Sequence, residues 1–333
     1  MKMKKIMKVF LILICVFMLV GCSKKDNGKK VFQIGFTTAP VENDPYYIFA
    51  KTFSDIVKER TNGKIVIDIK GSGQLGQEGE MFTGMQIGTT DMAIMTNAYI
   101  SGYIPQAGLF DLPFIFKDSK EASKVLNGKL GNDILKGYEE YGIEGLAYGE
   151  GGFRHLVTLK NEVKKPEDFH GLKIRCMETD TYIATYQELG TNAVPMAWSE
   201  PITGLQQGTI DGLDIPVSVI YTNGFADIAK YLNMTGHFYS PLILCVSKNI
   251  YDKLDSEEQK ILKEAAIEAG EATRKNNASL EPKMLNEMEE KGMTIVRDVD
   301  KEAFQKAFED FYDKRAEGIG KEYLDQLRKE LNF

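Results

Sequence analysis

The sequence predicts an α/β protein built as two similar lobes, and three observations lead there. At 333 residues the chain exceeds what one hydrophobic core usually serves, so two units of ordinary domain size are expected. The segment Thr83-Gly84-Met85-Gln86-Ile87-Gly88-Thr89-Thr90-Asp91 returns 120 residues later as Thr203-Gly204-Leu205-Gln206-Gln207-Gly208-Thr209-Ile210-Asp211, with six of nine positions identical. The body also opens strand–helix–strand, an order that needs a crossover and favours a parallel sheet. The repeat interval is too long for a solenoid. It reads as one local device used twice: a helix ends at a Gly able to turn left-handed, and a tight turn enters a strand. Those strands are placed at Met92–Met95 and Leu213–Ile215.

The remaining elements follow in order. Val31–Thr37 is β-branched and aromatic enough for a strand, and Ala50, Phe53, Ile56 and Val57 give Tyr46–Arg60 helical spacing. Ile65–Ile69 is a strand after the Asn62-Gly63 turn. Helices are predicted at Lys120–Leu126, Asp133–Tyr141, Thr181–Leu189 and Ser199–Gln206. Strands are predicted at Ile143–Tyr148, His155–Leu159, Lys173–Cys176 and Leu242–Val246, with a Gly-rich turn at Gly149–Gly152. A long helix is expected over Ser256–Lys291, opened by a Ser256–Gln259 capping box and bent or interrupted at Pro282. Longer than one lobe, it is expected to run along both. A strand at Thr294–Val296 and one amphipathic helix over Lys301–Arg328 close the chain.

Composition removes several functions. With 43% hydrophobic and 27% charged residues the chain suits a folded globular protein, not a fibrous or low-complexity one. The 41 basic and 48 acidic residues leave a formal charge of −7 and no basic stripe, which argues against nucleic acid. Three His and four Cys without CxxC spacing point to no metal site, and no cofactor is expected.

The N-terminus reads as an address. Met1–Lys8 carries four Lys, and Val9–Val20 is a twelve-residue apolar run. A membrane span needs about 20 apolar residues, so this is a signal-peptide core. Leu19-Val20-Gly21-Cys22 resembles a bacterial lipobox, in which Cys22 is acylated and becomes the new N-terminus. Residues 1–21 are then the signal peptide and 22–30 the lipidated Cys with a polar tether. Cleavage removes four Lys and moves the formal charge from −7 to −11. Cys176 and Cys245 remain in the body, read as two buried free thiols, with a disulfide in an extracytoplasmic setting as the alternative.

Arginine is scarce, seven against thirty-four Lys. Arg154 follows the Gly-rich turn and Arg175 ends the strand that starts at Gly171. A guanidinium at a strand end can grip a carboxylate with two parallel hydrogen bonds. The alternative is an internal salt bridge, with Glu150 or Glu178 as partner.

Residues 166–216 are where a family resemblance becomes specific. Pro166-Glu167-Asp168-Phe169-His170-Gly171-Leu172-Lys173-Ile174-Arg175, Val194-Pro195-Met196-Ala197-Trp198-Ser199-Glu200 and Leu205–Gly212 with Pro216 resemble the centre of DctP-type solute-binding proteins of tripartite ATP-independent periplasmic (TRAP) transporters. Gln74-Leu75-Gly76, Leu112-Pro113-Phe114 and Thr235-Gly236-His237 extend the likeness over nearly the whole body.

The resemblance implies a type II periplasmic-binding-protein-like fold of the TRAP receptor variety, with mixed sheets and a long C-terminal helix spanning both lobes. Lobe I is expected over residues 31–151 plus about 240–280, and lobe II over 152–239 plus about 281–333. It implies a monomeric receptor that closes on a small organic acid and delivers it to small and large membrane subunits. Arg175 takes the place of the carboxylate clamp, Arg154 that of a second arginine and Trp198 that of an aromatic wall. Asp214 and Ile215 stand where the family commonly has Glu-Asn, and Ile215 cannot supply an Asn's hydrogen bonds. Glu178 replaces a frequent Asn. Thr37, Thr96, Asn97 and Tyr99 are neutral strand-end candidates from the first lobe. Together they favour a small monocarboxylate, or an amino- or keto-acid-like ligand, over a multiply charged one.

Two other functions compete. A lipid-anchored receptor for an ATP-driven (ABC) importer shares the lipobox and the two lobes. A secreted hydrolase would need a nucleophile–base motif that is not found, or a carboxylate pair such as Asp214 with Glu178.

Overall fold

In the computed structural model, which describes residues 29–331, nine strands form one mixed sheet. The first half is β1 (Lys30–Gly35), α1 (Pro45–Arg60), β2 (Ile65–Lys70), α2 (Glu78–Ile87) and β3 (Met92–Thr96). Asp44 starts α1 by accepting the N–H groups of Tyr46 and Tyr47, and Pro45 occupies the first turn, where no N–H is needed. Three short helices, α3 (Asn97–Ser101), α4 (Ser119–Leu126) and α5 (Lys129–Lys136), lead to the long β4 (Ile143–Thr158). The second half repeats the order with β5 (Lys173–Cys176), α6 (Asp180–Glu188), β6 (Asn192–Pro195), α7 (Pro201–Gln207) and β7 (Gly212–Pro216). Then come α8 (Val217–Thr222), the long β8 (Tyr231–Ser247), α9 (Lys248–Tyr251), α10 (Ser256–Glu290) and β9 (Thr294–Val296). Helices α11 (Lys301–Ala307), α12 (Phe311–Ile319) and α13 (Lys321–Leu331) finish the chain.

Strand order is β2-β1-β3-β8-β4-β7-β5-β6, with β9 along β8. Thus β1 pairs in parallel with β2 and β3, and β5 in parallel with β6 and β7. Between these trios the antiparallel β4 and β8 run through both halves. The duplicated segment does the same work twice. Gly88 and Gly208 turn left-handed at φ 80° and 70°. Thr89 and Thr209 donate their N–H groups to the Gly84 and Gly204 carbonyls at 2.8 and 3.0 Å. Asp91 Oδ2 accepts the Gln33 N–H at 2.8 Å, and Asp211 Oδ2 accepts that of Lys173 at 2.8 Å. Each aspartate thereby ties its turn to the parallel strand beside it.

One face of the sheet carries two separate apolar clusters. Phe49, Phe53 and Val57 of α1 pack with Ile34, Ile94, Leu244 and Leu262, whereas Ile215, Val217 and Ile220 pack with Leu205, Met284 and Met288. The opposite face is one continuous cluster, including Phe110, Tyr148, Tyr182, Phe238 and Phe304. Helix α10 lies against α1 and β4 and reaches α8 and β9, so it spans both halves.

Several boundaries differ from expectation. Ile143–Tyr148 and His155–Leu159 belong to a single strand, because the glycines between them serve close approach and bulging instead of a turn. A Cβ on Gly149 would sit 2.6 Å from the Phe49 ring, and the β4–β8 register shifts between Glu150 and Gly152. Leu242–Val246 is only the end of β8. The α10 capping box is Asp255 with Glu258, one residue earlier than read from sequence, and the helix runs on through Pro282. The helix expected over Lys301–Arg328 is three helices, broken at Phe308 and at Gly320 (φ 109°). The breaks let Phe304, Phe308 and Phe311 turn inward, where Phe308 and Phe311 meet edge to face at 5.4 Å. Asp133–Tyr141 begins earlier, as α5, and ends as a 3-10 turn over Gly137–Tyr141.

Cys176 and Cys245 are buried and free. Among the described residues no helix is long and apolar enough to cross a membrane, and no cluster of potential metal ligands occurs. Cys22 and the signal segment lie outside the described residues.

Candidate functional site

The parallel strands β1, β3, β5 and β7 point their carboxyl ends at one crevice, the place where open α/β sheets hold ligands. There a cavity of about 300 Å3 opens between the halves. Eight of the ten residues singled out from sequence line it: Thr37, Thr96, Tyr99, Arg154, Arg175, Glu178, Trp198 and Ile215.

Arg175 ends β5 and is 2% exposed. Its Nε and Nη2 both donate to the Met196 carbonyl, at 3.0 and 2.7 Å, and Nη1 lies 3.6 Å from Met177 Sδ. Among the described residues no carboxylate forms an ion pair with it. Burial, with the neighbouring Arg154 charge, lowers its pKa from the usual guanidinium value. The backbone acceptor fixes the plane of the guanidinium while leaving Nη1 and part of Nη2 for another group. Five N–H donors in a rigid fork make that geometry suit a planar oxyanion.

Arg154 differs. It sits inside β4, not after a turn, at a second register shift between Arg154 and Leu156. Its partner is neither Glu150 nor Glu178 but Asp214 on the adjoining β7, with Nε 2.5 Å from Oδ2. Nη2 adds a bond to the Asp214 backbone carbonyl. Burial pushes the Asp214 carboxyl up, but the charge and hydrogen bond of Arg154 carry it below the ordinary carboxylate range. His237, 4.0 Å from Asp214, is driven down to about 4 by burial and is neutral near pH 7. It is held between Tyr186 Oη (2.8 Å) and Thr235 Oγ1 (2.7 Å). Glu150 turns elsewhere and accepts from Tyr239 Oη at 2.8 Å.

Two candidates do not reach the cavity. Asp214 is fully buried and sealed behind Arg154, so no carboxylate pair with Glu178 is assembled there. Asn97 is also fully buried; its Nδ2 donates inward to the Ala107 carbonyl and Asp111 Oδ1 at 2.8 and 2.9 Å. It opens the short helix α3 and faces the first-half interior, whereas Thr96 and Tyr99 face the cavity.

One important residue was missed. Glu78, in the first turn of α2, lines the cavity and bonds through Oε1 to the Thr96 N–H (2.5 Å) and through Oε2 to Thr96 Oγ1 (2.9 Å). Burial lifts its carboxyl to about 7 against the pull of those two bonds. An acid at a helix N-terminus ordinarily reads as a capping charge, which is why the sequence hid it. Tyr46, Tyr103, Met177 and Ser240 also line the cavity. Trp198 faces the cavity while its ring packs 5.6 Å from Phe225, so wall and core packing coincide in one side chain.

Comparison with known proteins identifies the family. Residues 36–318 match the model of the DctP family, bacterial extracellular solute-binding protein family 7. The 2,3-diketo-L-gulonate-binding periplasmic protein YiaO of Escherichia coli is 35% identical over 87% of this chain and 88% of its own. A TRAP periplasmic solute-binding protein from Polaromonas sp. JS666, bound to D-erythronate, is 34% identical over 90% of this chain and 98% of that one, with a TM-score of 0.87. Another from Sulfurospirillum deleyianum, with bound succinate, is 28% identical over 90% and 98%, with a TM-score of 0.83. By residues matched and by fold, this chain belongs to the DctP family of extracellular solute-binding proteins, the receptors of TRAP transporters.

Proposed function

We propose that the protein is an extracytoplasmic receptor that captures a small monocarboxylate between its two lobes and delivers it to TRAP membrane subunits. The observation that carries this reading is Arg175, a cation buried in the cavity wall that forms no ion pair with a carboxylate among the described residues. Removing a charge from water without a partner is costly, and an anionic guest relieves that cost. Arg154 offers no second cation, because Asp214 already neutralises it. The wall therefore has one guanidinium to offer an anion, that of Arg175.

Relatives bind one- and two-carboxylate acids, so the charge of the ligand is argued from this chain's own side chains. Glu78, Glu80 and Glu178 line the cavity, and a second carboxylate would meet them. Thr37, Thr38, Thr96, Tyr99 and Ser240 suit neutral hydroxyl or keto oxygens, and Ile215 with Trp198 suits an apolar portion. A monocarboxylate with few oxygens beyond the carboxylate, or an amino- or keto-acid, fits best. Membership of the DctP family favours a TRAP partner over an ATP-driven importer.

Closure divides the chain into residues 31–151 plus about 240–280, and 152–239 plus about 281–333. Three features support the division: the β4 bulge at Gly152, Pro241 within β8 and Pro282 within α10. The chain passes between the halves in these long elements, and bending at the three points opens the crevice. Cys22, acylated, would hold the monomeric receptor at the outer face of the membrane.

A thermal-shift screen tests the function. Small monocarboxylates raise the melting temperature by mass action, while neutral sugars leave it unchanged. A shift with sugars alone contradicts the reading.

A further inference from the structure

Asp44 does more than start α1. It is fully buried, and its two oxygens serve different halves of the molecule. Oδ1 accepts from Thr38 Oγ1 at 2.8 Å and from the Tyr46 and Tyr47 N–H groups at 3.0 and 3.3 Å. Oδ2 accepts from Thr222 Oγ1 at 3.2 Å and Asn223 Nδ2 at 3.3 Å, the last residue of α8 and its C-cap in the second half. Asn223 Oδ1 returns a bond by accepting the Ala39 N–H at 3.3 Å. These contacts cross the gap between the α1 cluster and the α8 cluster, which are separate cores. They also adjoin the cavity, since Thr38 and Val219 line it. The C-terminal end of α8 meets the N-terminal end of α1, so the helix dipoles add to the attraction.

We infer that Asp44, Thr222 and Asn223 form a clasp that holds the lobes closed over the ligand, an inference resting on the hinge closure proposed above. The chemistry makes the clasp easy to undo. The Thr222 hydroxyl has a single proton, and the Ser218 carbonyl lies 2.8 Å away as an alternative acceptor. Asn223 Nδ2 likewise has the Val219 carbonyl at 3.2 Å and Thr222 Oγ1 at 2.9 Å. When the lobes part, the second-half members fall back on these neighbours and the freed Asp44 oxygen is hydrated. Each of these side-chain polar atoms keeps a protein or water partner in either state, so the difference between them stays small enough for a ligand to decide it. Thr38, Asp44, Thr222 and Asn223 act as positioning residues; none is required to touch the ligand.

Hydrogen exchange of the ligand-free protein tests the clasp without needing a known ligand. Asn223→Ala and Thr222→Val raise exchange about five- to tenfold in the segment 36–45, which contains the Ala39 N–H, while Thr222→Ser keeps the wild-type rate. Titration with D-erythronate as probe adds a second readout, a several-fold faster release in the same two variants. If Asn223→Ala deprotects only 217–223 and leaves 36–45 unchanged, Asn223 merely caps α8 and the clasp is wrong. Arg175→Ala separates the two readings: it leaves ligand-free exchange at 36–45 as in wild type. Should it also bind D-erythronate normally, the carboxylate clamp fails while the clasp stands.

Discussion

Asp214 neutralises Arg154 from behind, with Oδ2 2.5 Å from Nε, whereas the neighbouring Arg175 forms no ion pair among the described residues. The arrangement makes charge a matter of position. Two guanidiniums lie near one wall; the strand that brings Asp214 beside β4 cancels the first, and the second forms no ion pair among the described residues.

Removing that internal partner should be expensive. Asp214→Ala leaves Arg154 buried without a counter-charge, and breaking such a pair costs about 3–5 kcal/mol. Denaturant unfolding of the ligand-free protein measures it. A loss below about 1 kcal/mol, the size of a surface pair, contradicts the buried-pair account.

Glu78 makes stability depend on pH in a stated direction. Its carboxyl is raised to about 7 in the fold by burial, above the ordinary value of 4.5. The folded state therefore holds the proton more tightly than the unfolded chain. The contribution is fully present below pH 4.5 and is lost as pH rises through about 7. Glu78→Gln removes this dependence, so the variant gains on wild type by roughly 3 kcal/mol between those limits. Melting curves of both proteins from pH 4.5 to 8 give the comparison, and parallel curves contradict the assignment.

Trp198 is the only tryptophan in the chain, so intrinsic indole emission reports on the cavity directly. Ligand binding and closure should shift or quench that emission, and Trp198→Phe should lose the signal while retaining the packing on Phe225 in part. A thermal shift without any emission change removes Trp198 from the ligand wall.

In the proposed reading Cys22 serves membrane attachment alone. Cys22→Ser should leave ligand affinity intact and move the protein from the detergent phase to the aqueous phase on partitioning. Retention of the variant in the detergent phase rules out the acyl anchor.

Much of this architecture was legible because it is local. The Gly88 and Gly208 turns and the aspartates after them are spelled out in nine residues, and the two parallel trios of strands follow from them. Arg175 was singled out from the same kind of local signal, a strand end after a Gly turn, and it lies in the cavity wall. What stayed hidden depends on partners distant in sequence. Glycines 149–152 look like a turn until Phe49 and Ser240 are seen pressing on them. Asp214 and Asn97 face away from the cavity because Arg154 and Asp111 claim them. Glu78 becomes a cavity residue only when Thr96, eighteen positions on, takes its two oxygens.

The most direct measurement is calorimetric titration of Arg175→Ala with whichever acid most raises the wild-type melting temperature. The account predicts a ligand-free protein that folds as before and affinity weakened by about 2–5 kcal/mol, thirty-fold or more. Affinity within about twofold of wild type would mean that the anion is held elsewhere.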